Sequence, residues 1–240
     1  MYVSKDGAAR KKELLDAALM VFCEKGYESS SVQDIIDAVG VTRGAFYHYF
    51  NSKEEVMKLI AVKQAQNIID ICQEIADRAA LNALDKLKQC FIALLEFRVE
   101  NEDRWIQITE ALYRYEENIR LRGIMDEKFK QELIPVFISI IEQGKKEELF
   151  ETSFVEEVAE MIYVLGLHYT TVKFELFENR GREEAQEALK SRIEFLMYSL
   201  EKSLGLDSGL REVLDEIDTT IEEIGASVIS YYLDEETRNQ

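Results

Sequence analysis

The sequence predicts an all-α protein, in which an N-terminal three-helix unit with a helix-turn-helix is joined by a long helix to a larger helical domain. Apolar residues recur at i, i+3, i+4 and i+7 along the 240 residues, and strand-like alternation is absent. One proline, Pro135, and 11 glycines leave little punctuation between helices. Near the N-terminus, helix-start and helix-stop signals follow one another closely enough to fix three short elements in sequence.

The first helix buries Leu15, Ala18, Leu19 and Phe22 and stops at Gly26, just after the basic Lys25. Val32, Ile35, Ile36 and Val39 repeat the spacing in a second, short helix. Ser31 stands before it with Asp34 three positions on, a variant of the capping box. Gly40 fits the left-handed residue that closes this helix, and Thr42 is the N-cap expected for the next. Two short helices joined by about three residues including glycine have the spacing of a helix-turn-helix. "SKEE" at Ser52 to Glu55 reads as a full S-x-x-E box opening a long helix to about Arg78. Further helices are expected near 82–100, 104–122, 126–147, 154–177, 183–204 and 209–233, with Ser153 and Glu156 capping the fourth of these and "ENRGR" turning between the fourth and fifth. The domain boundary falls at the start of the long helix, giving 1–52 and 53–240.

The formal charge is −18, and it is uneven. Residues 1–63 carry nine Lys/Arg and nine Asp/Glu, so residues 64–240, with 20 and 38, carry the whole excess. Such a field repels phosphate everywhere except at one end, which favours end-on docking of a polyanion over loose association. Neither a signal peptide nor an apolar run near the roughly 20 residues of a membrane span is visible. The reading is a soluble, cytoplasmic protein. Cys23, Cys72 and Cys90 sit inside apolar helical patterns and read as buried free thiols. With only His48 and His168, no metal-ligand spacing, phosphate loop or catalytic constellation appears, so no metal, cofactor or enzymatic activity is expected.

The stretch "VTRGAFYHYF", Val41 to Phe50, divides into two faces when wound at about 100° per residue. Thr42, Phe46, Tyr49 and Phe50 fall on one side, with Phe46 and Phe50 packing on the first two helices. Gly44, Tyr47 and His48 fall on the other, flanked by Arg43. A glycine inside a helix costs roughly 1 kcal/mol against alanine, and here it lets a flat partner approach. Arg43 suits a bidentate contact to guanine. Tyr47 suits a thymine methyl or a phosphate, His48 and Tyr49 suit backbone oxygens, and Lys53 adds a phosphate partner. The competing reading is a helical scaffold whose aromatic face, residues 44–48, binds another protein.

Residues 9–57 resemble the N-terminal DNA-binding domain of the tetracycline-repressor (TetR) family. The match runs through Ala17, Phe22, "KGY" at Lys25 to Tyr27, Ser31, "DIIDAVGV" at Asp34 to Val41, Gly44, "FYHYF" at Phe46 to Phe50 and "SKEE". It implies a dimeric transcription factor, usually a repressor, that binds a palindromic double-stranded DNA operator and is released by a small molecule. It places Arg43, Gly44 and Tyr47 at positions that often meet bases, and Ser31, Thr42, His48, Tyr49 and Lys53 at positions that often meet phosphate. The family often has His where this chain has Tyr49, with Tyr or another residue at the place of His48; both still donate to phosphate.

The resemblance further implies that the larger domain binds an effector and dimerises, commonly through two late helices that form a four-helix bundle with their partners. Here those are 155–177 and 184–204, the second carrying a Leu189, Ile193, Leu196, Leu200, Leu204 stripe suited to helix pairing. An effector pocket is mostly apolar with a few polar groups. The candidates are Phe91, Trp105, Tyr113, Phe137 and Tyr163, with Arg98 and His168 as donors to an anionic head; the acidic excess would equally suit a cationic aromatic compound. The segment 209–233 exceeds the commonest family layout and is expected to fold back over the bundle.

Overall fold

The computed structural model describes residues 5–100 and 119–214. Among them the elements are α1 (Lys5–Lys25), α2 (Val32–Val39), α3 (Arg43–Tyr49), α4 (Lys53–Ala76), α5 (Ala83–Glu100), α6 (Ile119–Lys128), a π-helical turn (Phe129–Leu133), α7 (Ile134–Lys146), α8 (Val155–Asn179) and α9 (Arg182–Ser203). The all-α class expected from periodicity is what forms. The chain divides into two compact units: one runs to Gln66 and takes in the stretch ending at Lys128, the other begins at Asn67 and resumes at Phe129.

The first unit closes around Leu14, Ala18, Phe22, Ile35, Phe46, Phe50, Val56 and Met57, all buried. Burying an aromatic of this size contributes roughly 1.5–3 kcal/mol, so Phe46 and Phe50 bind α3 firmly to its neighbours. Local signals set the turns as the sequence implies. Ser31 caps α2 with the Asp34 N–H donating to its Oγ at 3.1 Å, while the Ser31 N–H donates back to the Asp34 carboxylate at 2.8 Å. Gly40, at φ 69° and ψ 36°, closes α2 with its N–H on the Ile36 carbonyl at 2.9 Å. The hydroxyl of Thr42 then accepts from Ala45 N–H at 3.2 Å and starts α3.

The box at Ser52 forms only in half. Ser52 Oγ accepts from Glu55 N–H at 3.1 Å, but the Glu55 carboxylate takes the backbone and side-chain N–H groups of Asn51, at 2.7 and 2.9 Å, one residue before the expected partner. Those donors, the backbone N–H first, hold the Glu55 carboxyl below its usual range.

In the second unit α8 packs between α7 and α9, and α5 packs on α7. Phe137, Ile140, Ile141, Val158, Ile162 and Leu196 are buried in it. Buried Lys86 donates to the Ala76 carbonyl at the end of α4 (2.5 Å) and to the Gln143 side chain (2.7 Å). The Glu147 carboxylate takes the Ala83 N–H at 2.9 Å. Together these contacts fix the turn between α4 and α5 against the end of α7. Buried Glu201 accepts from Leu210 N–H (3.0 Å), Arg211 N–H (3.2 Å) and Arg211 Nε (2.8 Å), tying the chain after α9 back to it.

Three expectations need correction. The break expected between 122 and 126 is absent: α6 runs through Gly123 into the π-turn and on into α7. Pro135 in the first turn of α7 has no N–H and crowds the preceding turn, and the widened π-turn ahead of it absorbs the mismatch. Ser153 does not cap α8; the N-cap is Phe154, whose side chain has no oxygen to accept from the first turn, and its N–H donates to Thr152 Oγ1 at 3.1 Å. The Leu189, Ile193, Leu196, Leu200, Leu204 stripe is buried inside its own chain, so α9 spends that face on its neighbours. The expected helices at 104–122 and 209–233 lie largely outside the described residues.

Candidate nucleic-acid interface

The helical wheel of α3 becomes a real division of surface. Thr42, Arg43, Gly44, Tyr47 and His48 are exposed, Tyr49 is intermediate, and Phe46 and Phe50 are buried. Tyr47 keeps 44% of its surface open although its ring meets Phe46 edge-on at 5.4 Å. Arg43 lies over the Tyr47 ring at 5.8 Å, and His48 meets Tyr49 edge-on at 4.9 Å. The outer face is therefore an ordered set of planar groups and donors. Tyr47 and Arg43 are held by each other and by the core beneath them.

Gly44 is the informative residue in this set. A Cβ added there would meet only the Thr42 hydroxyl, at 3.9 Å, which is ordinary contact. Among the described residues nothing requires the glycine, and its absence of side chain leaves the helix backbone open to a close partner.

Several cations of the first unit are committed to ion pairs. Arg10 pairs with Glu13 (2.7 Å), Lys58 with Glu54 (3.4 Å), Lys63 with Asp16 (3.9 Å), and Lys25 with Asp34. The Lys25 ammonium and the Ser31 donors hold the Asp34 carboxyl well below the usual range, and the same contact raises Lys25. Lys11 instead lies over the Phe50 ring at 5.5 Å, beside the C-terminal end of α3. Sequence reasoning missed Lys11: the run Arg10, Lys11, Lys12 was visible, but only the packing of α1 shows which of them reaches α3. Ser31 is exposed and occupied by its capping box. Lys53 turns inward, its Nζ donating to the carbonyls of Tyr27 (2.6 Å) and Ser30 (2.7 Å).

Residues 14–60 match the family model described as bacterial regulatory proteins, tetR family. The HTH-type transcriptional repressor KstR2 of Mycobacterium tuberculosis is 28% identical over 142 residues, which cover 59% of this chain and 70% of that protein. The matched segment is that of a TetR-family transcriptional regulator. Likeness of fold extends past the matched segment. The fatty acid degradation regulator FadR from Bacillus halodurans superposes with a TM-score of 0.62 at 21% identity, covering 78% of this chain and 94% of that one. FadR from Bacillus subtilis in complex with stearoyl-CoA gives 0.61 at 20% identity, covering 77% and 96%.

Phe91, Phe137 and Tyr163 are buried in the second unit, and Tyr163 lies 5.8 Å from the Phe129 ring. His168 is exposed on α8. Arg98 lies in the last turn of α5, while Trp105 and Tyr113 fall outside the described residues. Cys23, Cys72 and Cys90 are free thiols; Cys72 and Cys90 are buried, and their mutual hydrogen bond pushes Cys72 up. Among the described residues, no helix is long and apolar enough to cross a membrane and no His/Cys/Asp/Glu group has the makings of a metal site.

Proposed function

We propose that this protein is a dimeric repressor that binds a palindromic operator through α3 and is released by a small-molecule effector held in its second unit. One observation carries the reading: the outward face of α3 presents Arg43, Tyr47 and His48 around a glycine that no packing among the described residues requires. Arg43 reads guanine, Gly44 admits the DNA backbone or a base edge, and Tyr47 meets a thymine methyl. Ser31, Thr42, His48 and Tyr49 sit where phosphates would pass, and Lys11 joins them at the far end of α3. The domain division we propose is at residue 52, with α1 to α3 as the reading head, seated on the first turns of α4, and residues 53–240 as the effector and dimer domain.

Dimerisation through 155–177 and 184–204 is supported by what those helices leave uncovered. With the leucine stripe buried, α9 still exposes Phe195 (62%) and Tyr198 (47%), and α8 exposes Val164 (56%). Apolar groups of that size left open on neighbouring helices suit a second copy. The compound to try first as effector is a long-chain acyl-CoA, because a protein of similar fold is solved with stearoyl-CoA. Effector binding would favour a conformation whose two heads no longer match successive major grooves, about 34 Å apart.

The test is selection of duplexes from a random pool, followed by mobility shifts with and without stearoyl-CoA. A roughly palindromic site, bound with a steep salt dependence and lost on adding the ligand, is the expected result. Absence of any preferred duplex, or salt-insensitive capture of a protein by the α3 face, would overturn the reading. Phe195→Glu is expected to yield monomers by sedimentation and to lose operator binding.

A further inference from the structure

We infer that Lys53 is a positioning residue that locks the start of α2, rather than a ligand for DNA phosphate; the inference rests on the DNA-binding reading above. Lys53 is the first residue of α4, at an end of the helix that faces the turn between α1 and α2. Its ammonium has three donors. Two go to backbone carbonyls, Tyr27 at 2.6 Å and Ser30 at 2.7 Å, and the Nζ lies 4.2 Å from the centre of the Tyr27 ring. Tyr27 is itself buried, edge-on to Phe22 at 5.3 Å. The cation is thus held between two carbonyl oxygens and an aromatic face, three partners that each favour positive charge.

The position of those carbonyls gives the contact its consequence. Ser30 immediately precedes Ser31, the N-cap of α2, and the Ser30 hydroxyl donates to the Gly26 carbonyl in the same turn. The Ser30 N–H also donates to the Tyr27 carbonyl at 3.3 Å, so both oxygens that Lys53 holds belong to one small turn. From there the order is fixed by short links: the Ser31 box sets α2, Gly40 closes it, and Thr42 starts α3. Lys53 therefore joins the first turn of α4 to the segment that determines where α3 begins. A phosphate would have to strip the ammonium from two charge-assisted hydrogen bonds, each stronger than a neutral one. Any displacement of α4 at Lys53 pulls on the turn that carries α2.

The experiment compares the full-length protein with Lys53→Gln and Lys53→Arg on the duplex that the wild type selects. A phosphate ligand and a lock differ in salt dependence: loss of one phosphate contact lowers the slope of log K against log salt by about 0.9 per protomer. The lock predicts that Lys53→Gln weakens binding roughly tenfold or more at every salt concentration, with the slope unchanged. It also predicts faster amide exchange at Ser31 to Asp34 in the absence of DNA. Arginine separates the two roles again, because its planar fork serves a phosphate well but cannot place one nitrogen between two carbonyls under a ring. Lys53→Arg should therefore fail to restore affinity, and it carries the same test alone should the glutamine variant not fold. A reduced slope with unchanged exchange, together with wild-type binding by Lys53→Arg, would overturn the inference. If the wild type prefers no duplex, the DNA reading fails by itself, and the exchange measurement still decides whether the lock exists.

Discussion

Gly44 in α3 and Gly144 in α7 each place, inside a helix, the residue that costs about 1 kcal/mol against alanine, yet they do so for opposite reasons. At Gly144 a Cβ would lie 2.0 Å from the Phe150 ring, which is buried against that spot, and Leu149 and Phe150 both donate to the Gly144 carbonyl. The corner after α7 exists because the glycine is there. At Gly44 a Cβ would meet nothing closer than 3.9 Å. The aromatics beside the two glycines differ in the same way: Phe150 is 4% exposed and Tyr47 is 44% exposed. Where packing accounts for a costly residue, function need not be invoked; at Gly44 the described residues supply no such account, and the exposed helix backbone is left open to a partner.

The largest effect tests the packing side. Gly144→Ala is expected to cost about 3 kcal/mol of stability, because Phe150 must leave its seat to admit the methyl group. Thermal or urea denaturation measures it. Operator affinity per folded molecule should stay as it was, and a variant of wild-type stability would show that the corner relaxes freely.

Next comes the outer face. Arg43→Ala should cost roughly 1–3 kcal/mol on the selected operator and much less on variants altered at the guanine it reads. Equal loss on every sequence would demote Arg43 to a phosphate contact and blur the contrast between reading and holding. Gly44→Ala has a smaller effect with a distinctive sign. Stability should rise by up to about 1 kcal/mol, since the methyl group meets open space, while operator binding weakens because the same methyl group enters the partner's place. Denaturation and mobility shifts on one preparation test both halves; a stabilised variant that binds DNA normally would break the comparison.

The legibility of these features in the sequence follows the distance over which each is determined. Ser31, Gly40 and Thr42 were readable because a cap is decided within four residues, and the burial of Phe46 and Phe50 because a short helix has one core face. The π-turn at Phe129–Leu133 was not, since it is the response of a packed helix to Pro135. The Leu189 to Leu204 stripe announced a buried face but not what covers it, because periodicity is blind to whether the partner is the same chain. The contacts of Lys53 were not readable for a similar reason: its carbonyl partners lie 23 and 26 residues back in the chain. Lys11 reaches α3 only through the packing of α1.

The smallest expected effect separates the two units by acid. Asp34 in the first unit and Glu147 in the second both have carboxyls held below their ordinary values: Asp34 by Lys25 and then the Ser31 donors, Glu147 by the Ala83 N–H and then Gln143. A depressed folded value means that the ionised form is favoured in the native state. Each contact therefore contributes its stability fully above the unfolded value, near 4, and loses it as pH falls toward the folded one. Melting temperature should decline from about pH 5 downward in the wild type. Asp34→Asn removes the titration at the α2 cap and leaves those at Glu55 and Glu147, so its decline should be shallower, with a small loss already present at neutral pH. Parallel declines in the two proteins would mean that the exposed Lys25–Asp34–Ser31 contact is screened by water and that α2 is held by its apolar face and by Lys53 instead.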